Sequence, residues 1–140
     1  LRKTLTTDFQ TLLVPVAAGE LIDKITILRL KAAHLTRPEA LRNVQRELRA
    51  LEAVQMQALD DPKSNEVDRL TKELEQINTQ LWDIEDNLRQ LEAEQRFDVE
   101  FIDLARSVYQ LNDQRSELKR QINLYYRSTL MEEKSYGEHS

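Results

Sequence analysis

Residues 67–91 read VDRLTKELEQINTQLWDIEDNLRQL. Val67, Leu70, Leu74, Ile77, Leu81, Ile84, Leu88 and Leu91 recur in alternating steps of three and four. On an α-helix such a series forms one stripe, the heptad seam by which a long amphipathic helix packs lengthwise on a partner. Phe101, Leu104, Val108, Leu111, Arg115, Leu118, Ile122 and Tyr125 repeat the spacing further on. Two helices of matching length joined by a short link predict an antiparallel hairpin. The first of them should run to about Gln95 and be roughly 48 Å long at about 1.5 Å per residue.

Working outward, Phe97-Asp98 followed by Ile102 fits a hydrophobic staple around an N-cap aspartate, which marks the turn of the hairpin. Upstream, Asp60-Asp61-Pro62-Lys63-Ser64 breaks the chain, with Asp61 or Ser64 as the next cap. Leu41, Val44, Leu48, Leu51 and Ala58 give the preceding helix its seam. Thr36-Arg37-Pro38-Glu39, at capping-box spacing, opens that helix. Gly19, as N-cap, and Glu20 open the first helix. Its apolar residues lie almost all round, so it should be buried on several sides. Pro15 forces Val14 towards extended geometry, so residues 1–18 form an extended arm. After Ser128 periodicity is lost. The expectation is an all-α fold, an elongated bundle of about four helices over residues 19–130 built on the long hairpin, with a C-terminal tail at 131–140 whose last residues are frayed.

Composition supports this. The chain of 140 residues has two glycines and three prolines, too few for a turn-rich β architecture. Its net charge of −5, with acids and bases interspersed, argues against nucleic acid as a partner. Arg115, Lys119, Arg120 and Arg127 are too few and too mixed with acids. Cysteine is absent, which excludes disulfides, thiolate metal sites and a cysteine nucleophile. No apolar run is long enough to cross a bilayer, and no charged-then-apolar leader opens the residues from Leu1. A soluble, cytoplasmic protein is expected.

Arg115 interrupts an otherwise apolar stripe, and a charge there must be paired or stand at a wet opening. With the hairpin turning near Phe97, Arg115 falls close to Asn78, Asn112 to Trp82, and Tyr109 to Glu85. Asn78, Trp82, Glu85 and Arg89 form a stripe beside the first seam. Tyr109, Asn112, Ser116, Lys119 and Asn123 form its counterpart. The first helix, with Glu20, Asp23, Lys24 and Thr26, is the natural cover. One reading is a network in which Arg115 pairs with Glu85 or Asp23 and fixes helix register. The other is a pocket for a small anionic ligand. Arg115, Lys119 and Arg89 would hold the anion, Asn78, Asn112 and Asn123 would orient it, and Trp82 and Tyr109 would wall it.

Other chemistry is sparse. Glu85-Asp86 and Glu132-Glu133 are adjacent on the chain and point about 100° apart on a helix, so they do not converge on a metal. His34 and His139 lack helical partners, and no metal site or cofactor is assigned. There is no Gly-rich phosphate loop and no Ser-His-Asp set. No residue set defines a reaction, so catalysis is left open.

Pro15-Val16, Gly19 to Leu28, Leu81 to Asp86, Leu104 to Tyr109 with Asn112-Asp113, Lys119 to Asn123 and Glu132 to Tyr136 together resemble a bacterial family of unknown function. The resemblance spans most of the chain. It implies a small helical protein or appended domain, in some cases associated with surface-polysaccharide glycosyltransferases, and it brings no catalytic residues. The Arg115 and Lys119 pair is similar in type to the cationic residues of the all-helical chorismate mutases, but the ordered motif of those enzymes has no match. The expected function is a helical binding or assembly module, acting as a homo-oligomer or on a protein partner. The alternative is a small-molecule binder or enzyme built around Arg115.

Overall fold

The computed structural model describes residues 10–59, 65–135 and 137, which form four helices: α1 (Ala18–His34), α2 (Pro38–Ala58), α3 (Asn65–Ala93) and α4 (Val99–Tyr125). The fold is an all-α bundle. The predicted cap at Asp61 or Ser64, residues 1–9 of the arm, His139 and the end of the tail lie outside the described residues.

α3 and α4 form the antiparallel hairpin along the two seams. Their 29 and 27 residues correspond to about 44 and 40 Å. α1 lies on the hairpin, parallel to α3 and antiparallel to α4, and it alone touches all three other helices. Ile22 of α1 joins Leu70, Leu74 and Ile77 of α3 and Leu118 and Ile122 of α4 in the core. Ile25 and Leu28 are buried as well, in keeping with the apolar surface read almost all round this helix. α2 packs on α1 only and buries no residue fully. Its seam residues Leu41, Val44, Leu48 and Leu51 are half-buried.

Several helix ends differ from expectation. α1 is capped by Ala17, not Gly19, and Ala17 offers no side-chain cap bond. Arg37, not Thr36, is the N-cap of α2, so no capping box forms. Pro38 stands at N1, where its missing N–H leaves nothing unsatisfied. α3 ends two residues before Gln95, because Gln95 adopts the left-handed conformation (φ 55°). The Arg96 amide donates to the Leu91 carbonyl (2.9 Å) and the Gln95 amide to that of Glu92 (3.0 Å), a Schellman closure without glycine. The end of α4 repeats it, with Arg127 at φ 53° and the Ser128 amide on the Asn123 carbonyl (2.9 Å). Asp98 is the N-cap of α4 as expected, without a side-chain cap bond. The ring of Phe97 packs edge-to-face on Phe101 at 5.3 Å.

Candidate functional site

The polar residues beside the seams converge on Asp23 of α1, which is 1% exposed. The guanidinium of Arg115 donates from Nε to Oδ1 (3.0 Å) and from Nη2 to Oδ2, a two-pronged charge-assisted contact. Asn78 Nδ2 donates to Oδ1 (2.9 Å) and to Thr26 Oγ1 (2.9 Å), and Thr26 Oγ1 donates to the Asp23 carbonyl (2.7 Å). One carboxylate thus links α1, α3 and α4. Asp23 holds the Arg115 guanidinium above its ordinary pKa, its hydrogen bond outweighing burial. Arg115 keeps its place on the seam, and its head leaves the apolar line for Asp23.

One turn along α4, Lys119 is buried with its ammonium 2.7 Å from Glu20, 2.8 Å from Glu132 and 3.9 Å from Asp23. Burial pushes this lysine down, but the bonds to Glu132 and Glu20 prevail and raise it overall. One turn further, Asn123 Oδ1 accepts the Gly19 amide (2.7 Å), and Ser128 Oγ accepts that of Ala18 (3.2 Å). The first donors of α1, which its own cap leaves unserved, are therefore satisfied by residues more than 100 positions away. Gly19 is required for this approach. A Cβ there would collide with the Lys119 carbonyl and stand 2.8 Å from Asn123 Oδ1.

The segment after α4 runs back along it as a strap. Met131 sulfur accepts from Asn123 Nδ2 (3.5 Å), Glu132 meets Lys119, and Lys134 lies 3.6 Å from Asp113. Beneath it a cleft of about 40 Å³ is lined by Asn112, Arg115, Ser116, Lys119, Glu132 and Lys134. That is room for a water molecule or two. Larger clefts lie elsewhere. One of about 400 Å³ runs along α3 and α4 past Gln76, Gln80 and Gln114; another of about 390 Å³ lies at the root of the arm.

Of the predicted residues, the structure brings Asn78, Arg115 and Lys119 onto Asp23, with Glu20 on Lys119, Asn112 3.4 Å from Arg115 and Asn123 one turn away. It does not bring in the others. Trp82 is half-buried against His34 of α1, with ring centroids 4.9 Å apart. Glu85 and Arg89 are exposed, 3.9 Å from each other. Tyr109 points to solvent. The pairing of Arg115 with Asn78 is indirect, since both donate to the same oxygen of Asp23. Sequence reasoning missed Gly19 as a contact point, Thr26 as an acceptor and Glu132 as a partner of Lys119. The short spacing Gly19-Glu20-x-x-Asp23-x-x-Thr26, one face of α1, was the available signal.

A different surface stands out beyond the end of α1. His34 reaches Trp82, and past that point α3 and α4 continue with no third helix among the described residues. Ile84, Leu88, Leu104 and Val108 of the two seams are only half-buried there. Beside the α4 seam, Val99, Ile102 and Tyr109 form a second apolar stripe at helical spacing, exposed by 70%, 50% and 58%. Between Leu81 and Leu111 stand eight acidic residues and three arginines, a net −5 that equals the charge of the whole chain. The rest of the molecule is neutral overall.

Among the described residues no group of His, Asp and Glu is arranged to hold a metal, and no helix is long and apolar enough to cross a membrane. No curated protein and no solved structure matches the chain. A family model described as a family of unknown function, DUF6165, matches residues 12–139, and the chain belongs to that family.

Proposed function

We propose that this protein is a helical binding module that presents the far end of the α3–α4 hairpin to a basic, amphipathic protein segment. The observation that carries this is the stripe of Val99, Ile102 and Tyr109, standing open on the part of the molecule that holds all its net charge. A cationic helix with one apolar face would cover the stripe and meet the surrounding carboxylates. The Asp23 network serves this role indirectly: it fastens α1 to the base of the hairpin, so that the end projects from a fixed platform. The absence of cysteine suits a reducing cytoplasm, where we place the protein.

The test uses a synthetic Leu/Lys amphipathic helix titrated against the full chain, with Ile102→Asp/Tyr109→Asp as the variant. Added acid strengthens any general attraction for a cation but breaks apolar docking. Binding that falls at least tenfold in the variant supports the reading, whereas equal or tighter binding overturns it.

A pocket for a small anion around Arg115 is the second reading, favoured by the cleft that Arg115, Lys119 and Lys134 flank. Against it stand Asp23, Glu20 and Glu132, which already occupy Arg115 and Lys119, Asp113 beside Lys134, and a volume far below that of ordinary ligand sites.

A further inference from the structure

The root of the N-terminal arm carries a second unfilled surface, at the opposite end of the molecule from the hairpin tip. A groove of about 390 Å³ runs between the start of α1, the end of α2 and the segment after α4, with Leu21, Val54, Ala58, Leu59, Tyr126 and Leu130 in its walls. Val54 is half exposed on α2 and Leu130 nearly so on the strap, so the lining is apolar and open. Directly before it stands the most exposed apolar run among the described residues: Leu12, Leu13 and Val14 are 80%, 92% and 70% exposed.

The groove and the run belong together by chemistry but do not meet within one molecule. Pro15 and Val16 form the rim of the groove, so the chain would have to reverse at once to bring Leu12 back into it. The structure shows no such reversal: Leu12, Leu13 and Val14 stand exposed and line no part of the groove, and Pro15 holds Val14 extended. In extended backbone Leu12 and Val14 share one side and Leu13 takes the other. An arm held straight, with two apolar side chains on one side, suits the same groove on a second molecule.

We infer that two copies of this chain exchange arms, Leu12 and Val14 of each filling the groove of the other. The contact is isologous, so it closes as a twofold dimer and leaves neither groove open. It uses nothing from the hairpin tip, which stays free for its own partner.

The chain contains no cysteine, so introduced thiols report the contact without interference. Leu12→Cys and Val54→Cys are made separately, both at exposed positions where the fold is not at risk. When the two are mixed under a mild oxidant, arm exchange gives a mixed disulfide dimer of one copy of each. With both substitutions in one chain, exchange gives a covalent dimer, while an arm folded back in its own molecule gives a closed monomer. Light scattering on the unmodified full chain should show a concentration-dependent dimer. In Leu12→Asp/Val14→Asp its dissociation constant should rise at least tenfold. Mixing that variant with Val54→Arg restores one intact arm and groove, and a heterodimer should return. A strict monomer, an intramolecular disulfide, or a dimer unaffected by the arm substitutions overturns the inference, whatever the hairpin tip binds.

Discussion

Asp23 of α1 ties three helices together, because Asn78 of α3 and Arg115 of α4 both donate to a carboxylate that is 1% exposed. Replacing it with Asn keeps the volume and some hydrogen bonding but leaves Arg115 facing a neutral group, while Lys119 keeps Glu20 and Glu132. Removing one partner of a buried ion pair typically costs about 3–5 kcal/mol, and here Arg115 retains some solvent, so about 3 kcal/mol is expected. Urea unfolding of Asp23→Asn checks this. A loss under about 0.5 kcal/mol would show that the pair does not hold α1. Lys119 makes a pH prediction with the opposite reach. Its pKa in the folded protein lies above the ordinary lysine value of 10.5, since Glu132 and Glu20 outweigh burial. Its contribution is therefore complete below that value and disappears as pH climbs through the raised one. Thermal stability should fall more steeply above about pH 10.5 for the natural chain than for Lys119→Met, and parallel curves there would contradict the assignment.

At the level of the helix, the two seams were legible because an apolar residue every three or four positions leaves an α-helix no other way to bury them. Helix ends were harder to read for a definite reason. With glycine scarce, the chain stops α3 and α4 by placing Gln95 and Arg127 in a left-handed conformation, and nothing in a glutamine or arginine announces that. The same scarcity gives a measurable outcome: Gln95→Gly should stabilise the protein by about 0.5–1 kcal/mol, read as a rise in the urea midpoint, since glycine adopts this conformation without strain. A destabilisation would mean that the glutamine side chain, which bonds the Glu92 carbonyl at 3.1 Å, outweighs the backbone. The start of α1 was misjudged because its donors are served by Asn123 and Ser128, and a cap supplied across the fold leaves no local pattern. Arg115 was legible as a residue in need of a partner, and Asp23 was among the partners open to it. Tyr109, Trp82, Glu85 and Arg89 were grouped with it on helical spacing alone, although α1 ends at Trp82 and brings no further carboxylate to them.

Across the whole molecule, the striped hairpin is longer than its cover. α1 supports it from the core to Trp82, and the remainder stands as two helices, an arrangement that adds little net stability by itself. Extra length of that kind calls for a use outside the core, which is why the open stripe is assigned to a partner. Excising residues 83–89 and 103–109 tests the division directly. One heptad is lost from each helix, so both seams stay in phase and the turn at Gln95 to Asp98 is retained. The shortened protein should remain helical and unfold within a few kcal/mol of the natural chain, because the Asp23 network and all of the buried core but Leu91 lie on the other side of the cut, and the excised Ile84 and Val108 only border that core. Its affinity for the Leu/Lys helix should drop at least tenfold, since Tyr109 and four of the eight local acids leave together. Circular dichroism with urea reads the first result and peptide titration the second. A collapse of stability would make the tip part of the core, and preserved binding would place the docking surface elsewhere.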